Sequence, residues 1–131
     1  MGEYARQQTA ILLGRLAFQL NRAMKEGDAT AVHDLRVAIR RLSRALRVFA
    51  QCFPDGSWKK IRRELGELMD LASGVRDRDI ALEFLASVRS SGGAVARIES
   101  DRRNLRRELA AELRRWRARG FSRKWRRRLG L

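Results

Sequence analysis

Apolar residues recur every three or four positions along almost the whole chain, and no stretch sustains the two-residue alternation of a half-buried strand. The pattern predicts helices throughout. The first runs from about Tyr4 to Glu26, with Leu13, Leu16, Ala17, Leu20 and Met24 turned inward, and Gly27-Asp28 ends it. Asp28 or Thr30 offers a side-chain oxygen to the open amides of a second helix, which the Pro54-Asp55-Gly56 turn signal closes near Phe53. Ser57 is a natural cap for a third helix with an inner stripe of Trp58, Ile61, Leu65, Leu68 and Ala72. Ser73-Gly74 reads as an interruption, and Asp77 or a near neighbour as the cap of a fourth helix through Ser87, with Ile80, Phe84 and Val88 on one side. Ser90-Ser91-Gly92-Gly93 is the clearest hinge. Beyond it, a helix from about Ala94 to Arg119 turns Val95, Ile98, Leu105, Leu109, Leu113 and Trp116 inward, with Arg102 at the edge of that stripe. After Gly120, a basic tail (120–131) adds one short turn with Phe121, Trp125 and Leu129 on a common side. Short turns between such helices make neighbours antiparallel, so the predicted fold is all-α, an antiparallel bundle of four to five helices in one domain spanning 1–131.

The second helix carries two unlike faces. At 100° per residue, Val32, Leu35, Ile39, Leu42, Leu46, Phe49 and Phe53 collect on one side, while His33, Arg36, Arg40, Arg44 and Arg47 collect on another. The first face belongs in a core. The second is a cationic rail about 21 Å long at 1.5 Å per residue, suited to an extended anion. A solvated helix face is the plain alternative, but such faces mix signs to gain pairs one turn apart. This one sets cations at successive three- and four-residue spacings with no carboxylate among them, and repulsion costs a few tenths of a kcal/mol per pair until an anion covers it.

Composition widens that picture. The formal charge is +15, from 30 basic and 15 acidic side chains, which points to nucleic acid, an anionic membrane surface or polyphosphate as the partner class. Arginine supplies nearly all the basic residues, and its planar fork donates two parallel bonds to one phosphate; a GC-rich genome gives the same bias without function. From Ala94 onward there are 14 basic and 4 acidic side chains, so charge concentrates in the second helix and the C-terminal third. Cys52, the single cysteine, excludes an intramolecular disulfide or multi-cysteine metal site and is expected behind Phe49 and Phe53. No secretory signal or membrane-length apolar run is present, so the expected location is cytoplasmic.

His33, the sole histidine, lies in a first helical turn, where open amides favour an anion. Its ring donates to phosphate when neutral and adds charge when protonated; the structural alternative is a bond to a backbone carbonyl or to Asp34. A lone histidine is poor support for a metal. In Arg76-Asp77-Arg78-Asp79, capping and the helix dipole account for both carboxylates, or one of them holds Arg76 or a rail arginine in place. As a general acid/base pair they are unsuitable, because neighbouring guanidiniums keep them ionised. Arg15 and Arg22 on the first helix, and Lys59 and Arg63 ahead of Lys60 and Arg62 on the third, are candidates to face the rail. Trp58 and Trp116 read as packing residues; Trp125, among Arg123, Lys124, Arg126, Arg127 and Arg128, has the surroundings of a nucleic-acid or membrane contact.

The stretch Val32-His33-Asp34-Leu35-Arg36-Val37-Ala38-Ile39-Arg40-Arg41-Leu42-Ser43-Arg44-Ala45-Leu46-Arg47-Val48-Phe49 resembles the signature of the CHAD family, the conserved-histidine α-helical domain, and Gly74-Val75-Arg76-Asp77-Arg78-Asp79-Ile80 resembles its second motif. Together they extend the likeness over residues 5 to 90. The resemblance implies an all-helical protein that binds inorganic polyphosphate in a basic groove, with His33, Arg36, Arg40, Arg41, Arg44 and Arg47 matching the basic set and Arg76 and Asp79 the second motif. Ser43 stands where the family is often basic, and the glycine before Arg76 is shifted by one. Full domains of the family are about twice as long and contain two similar helical halves; this chain resembles one half. Homodimerisation would supply the missing wall of the groove.

The expected function is therefore polyphosphate binding without catalysis or cofactor, by a CHAD-like half domain that pairs with a second copy, in the cytoplasm and associated with polyphosphate granules. The binding set comprises His33, Arg36, Arg40, Arg41, Arg44, Arg47, Arg76, Arg15, Arg22, Lys59 and Arg63, supported by Asp77 and Asp79. A non-specific nucleic-acid binder using the C-terminal third is the main alternative. A phosphate-cleaving enzyme is the other, and it lacks clustered carboxylates for a metal and a credible nucleophile.

Overall fold

In the computed structural model, residues 2–89 and 92–131 are described, and they form five α-helices with no strand among them. Helix α1 (Gly2–Lys25) leads into α2 (Ala29–Val48), then α3 (Ser57–Ser87), α4 (Gly92–Ala118) and α5 (Phe121–Leu129). Ser90 and Ser91 of the expected hinge lie outside the described residues, whereas Gly92 and Gly93 open α4.

The turn between α1 and α2 rests on Gly27, whose φ of +61° is left-handed. A Cβ there would collide with the Arg106 guanidinium, whose Nη2 donates to the Glu26 carbonyl at 3.2 Å. Of the two candidate caps, Asp28 acts: its Oδ1 accepts from the Ala31 amide at 2.8 Å. Helix α2 ends at Val48, before the expected Phe53. Two 3-10 turns, Ala50–Cys52 and Pro54–Gly56, follow it, and Phe53 enters the core from the loop between them. Cys52 is half-buried there.

Ser57 does not cap α3. Gly56 occupies that position, and the single proton of the Ser57 hydroxyl is shared between the carbonyls of Pro54 (2.9 Å) and Arg128 (3.2 Å), bringing the start of α3 against α5. Nor does the chain break at Ser73-Gly74, since α3 runs on through both residues. A mid-helix glycine costs about 1 kcal/mol against alanine, but here it lies against Leu105 of α4, while Leu68, Ala72 and Val75 are buried on either side of it. Packing overrides local propensity. Asp77 is accordingly an exposed mid-helix residue and not a cap.

Helix α2 packs between α1 and α3, and α4 packs on α3 and α1 from the other side, placing α2 and α4 diagonally across a four-cornered bundle. Leu13, Leu16, Leu20, Leu35, Ile39, Leu42, Leu46, Ile61, Leu65, Leu68 and Leu113 fill its interior. The expected basic tail is part of this core. Helix α5 buries Phe121, Trp125 (3% exposed) and Leu129, and the rings of Phe121 (tilted) and Trp125 (edge-on) pack against Trp116 with centroids 5.3 and 5.2 Å away. Trp125 therefore presents no surface to nucleic acid or lipid.

Candidate functional site

Because α2 buries Leu35, Ile39, Leu42 and Leu46 against its neighbours, the opposite side of the helix is forced outward. His33, Arg40, Arg41, Arg44 and Arg47 are exposed there, and Arg36 is half-buried. None of the six has a carboxylate partner among the described residues. The row stands as a ridge between two grooves.

The α1-side groove, about 670 Å³, brings Arg15 together with His33 and Arg41, and its walls include Ile11, Phe18, Gln19, Asp34 and Val37. The α3-side groove, about 310 Å³, gathers Arg40, Arg44 and Arg47 with Arg62 over Leu65, Gly66 and Met69. Two serines set the guanidiniums on this side. Arg36 Nε donates to Ser73 Oγ at 3.2 Å, and Arg62 Nε donates to Ser43 Oγ at 3.1 Å. Both acceptors are neutral, so the arginines are aimed while their charge stays uncompensated. Arg76 lies one turn beyond Ser73 on the same side of α3, half-buried.

Several expected contributors lie elsewhere. Arg22 is withdrawn from the rail: its guanidinium bonds Asp34 and also Glu26, at 3.2 Å, and the Asp34 bond foremost pushes its pKa still higher. Lys59 and Arg63 are exposed on α3 but outside the α3-side groove, where Arg62 takes the place expected of them; Lys59 Nζ sits 5.7 Å from the Trp58 ring. Asp79 holds neither Arg76 nor a rail arginine. It is 7% exposed and its Oδ1 accepts from Nε of Arg102, joining α3 to α4, while Oδ2 has no hydrogen-bond partner among the described residues. This bond explains why Arg102, at the edge of the apolar stripe, turns inward. Asp77 stays exposed without an ion-pair partner among the described residues.

Ser43 was the clue to Arg62. A small hydroxyl in an otherwise cationic row leaves room for a guanidinium from the next helix, and register then selects Arg62 over Arg63. The described residues contain no group of three or more metal-ligating side chains and no helix long and apolar enough to cross a membrane. What the site offers chemically is a line of guanidiniums with no carboxylate partner among the described residues, two of them, Arg36 and Arg62, already aimed by serine hydroxyls.

No curated protein and no solved structure matches the chain. The family model for the CHAD domain matches residues 9–130, well past the residue 90 to which the two motifs alone reach. A match across nearly all of the sequence, with its signature row displayed on α2, shows that the chain belongs to the CHAD domain family.

Proposed function

We propose that the protein binds inorganic polyphosphate along the α2 ridge, as a non-catalytic, cofactor-free module. The observation that carries this reading is that His33, Arg36, Arg40, Arg41, Arg44 and Arg47 have no carboxylate partner among the described residues, flanked as they are by Arg15 on α1 and by Arg62 and Arg76 on α3. Non-bridging phosphate oxygens accept from the guanidiniums along a thin chain that follows the helix axis. A linear phosphate chain fits the grooves beside α2, whereas duplex nucleic acid is too thick to enter them.

A second helical unit completes the site in this reading. Ile11 and Phe18 are 49% and 65% exposed on the α1 side of the ridge, and Ile80 and Phe84 are 48% and 63% exposed on α3. Apolar side chains flanking a cationic row suit a second copy related by a two-fold axis, with the polymer enclosed between two ridges. In a cell, such a protein would sit with polyphosphate granules in the cytoplasm.

The test is competition at fixed ionic strength between long polyphosphate, single-stranded DNA and duplex DNA. Polyphosphate should bind tightest, and log K should fall linearly with log salt. Substituting Arg40 and Arg44 by Gln should lower that slope by roughly 0.7 per arginine. Equal or stronger binding of either DNA, or an unchanged slope, would defeat the proposal. Mass measurement with and without polyphosphate tests the pairing of copies.

A further inference from the structure

The diagonal arrangement gives the molecule a second cationic face, turned away from the first. Glu112 is the last acidic side chain in the sequence, and it is occupied by Arg115 and Trp116. Beyond it, α4 and α5 expose Arg114, Arg117, Arg123, Lys124, Arg127 and Arg128, none with a carboxylate partner among the described residues. Arg123 with Arg127, and Lys124 with Arg128, stack one turn apart on α5, repeating the like-charge spacing of the ridge. The apolar side of α5 is sealed into the core through Phe121, Trp125 and Leu129, so this helix is not free to lie in a lipid surface. What it presents is a strip of charge bordered by two hollows, one against α1 lined by Arg117 and Arg123, the other against α3 where Lys124 and Arg128 stand with Lys60 and Glu64.

We propose that this α4–α5 face binds a second strand of polyphosphate, making the protein a cross-linker that condenses the polymer. The inference rests on the α2 reading. A single straight run of polyphosphate cannot lie along both faces, because α1 and α3 stand between them, so the second face takes another segment, of the same chain or of a different one. A protein already held on a long flexible chain sees other segments of that polymer at high effective concentration, which favours polyphosphate over a competing polyanion for the second face.

The experiment mixes the protein with long-chain polyphosphate and reads light scattering, with affinity for a short-chain polyphosphate measured in parallel. The double variant Arg123→Glu/Arg127→Glu should lose scattering about tenfold or more while binding the short chain within about threefold of the wild type. Arg123→Gln/Arg127→Gln should show the same separation more weakly, and circular dichroism checks that both fold. A variant with two arginines removed at the far end of the bundle, Arg89→Gln/Arg97→Gln, should scatter like the wild type. Undiminished scattering by the α5 variants, or an equal loss in the far-end variant, overturns cross-linking and leaves the ridge reading intact. Loss of short-chain binding in the α5 variants, with Arg40→Glu/Arg44→Glu unaffected, overturns both. Duplex DNA retained on the α4–α5 face against saturating polyphosphate overturns the choice of partner.

Discussion

The arginines of α2 and the arginine of the α3–α4 seam show what one side chain does in two settings. On α2, Arg40, Arg44 and Arg47 stand exposed with no carboxylate partner among the described residues, and only Arg47, in the last turn, is favoured by the helix dipole. In the seam, Arg102 is 18% exposed and bonded to Asp79, itself nearly buried. The first group repels itself and awaits a ligand; the second pins two helices together. Charge density alone separates neither case. The deciding variable is whether the facing helix brings a carboxylate to the right height.

The largest effect that could break this contrast is on binding. Replacing Arg36, Arg40, Arg44 and Arg47 together with Gln should weaken polyphosphate about 10³-fold, taking about 1 kcal/mol for each lost charge-assisted bond. The variant that keeps Arg36 and its bond to Ser73, with only Arg40, Arg44 and Arg47 replaced by Gln, should be more stable than the wild type by about 1 kcal/mol in denaturant, since the like-charge pairs are gone. Binding retained, or stability lost, would mean that the row is structural.

The reverse pattern is expected in the seam. Arg102→Ala leaves a buried carboxylate with no partner and should cost about 3 kcal/mol, read as a lower urea midpoint, with polyphosphate affinity unchanged. If affinity falls with stability, Asp79 acts on the site after all. Arg62→Gln, intermediate between the two groups, should weaken binding about threefold to tenfold with little change in melting temperature.

Much of this was legible in the sequence, and the failures have physical causes. Periodicity placed α1 and α2 because each has one dominant apolar stripe, and the same periodicity set the row of His33, Arg36, Arg40, Arg44 and Arg47 on α2, to which the CHAD resemblance added Arg41. The break expected at Ser73-Gly74 did not occur, because burial of Ala72 and Val75 on α3 outweighs a glycine's local preference. The choice of Lys59 and Arg63 over Arg62 depended on the rotation of α3 about its axis, and one residue of rotation is 100°. Arg22 and Asp79 were misjudged for the same reason: their partners, Asp34 and Arg102, are 12 and 23 positions distant, and only tertiary register unites them.

A smaller perturbation sharpens the comparison at the groove itself. Gly66, exposed on α3 beside Arg62 and Met69, has open space where a Cβ would sit. Gly66→Ala should stabilise the protein by about 0.5–1 kcal/mol and leave affinity intact, whereas Gly66→Trp should obstruct the α3-side groove and weaken binding. Equal affinities for the two variants would place the polymer on the α1 side alone.

Ser43 and Ser73 have one more implication. A long guanidinium arm ordinarily surrenders rotational freedom at the moment it grips an anion, and that loss subtracts from affinity. Arms already propped by a hydroxyl have surrendered part of it during folding, so Arg36 and Arg62 meet their ligand preorganised. Exchanging each prop for alanine should slow no encounter but shorten the lifetime of the complex, a signature visible in dissociation rates.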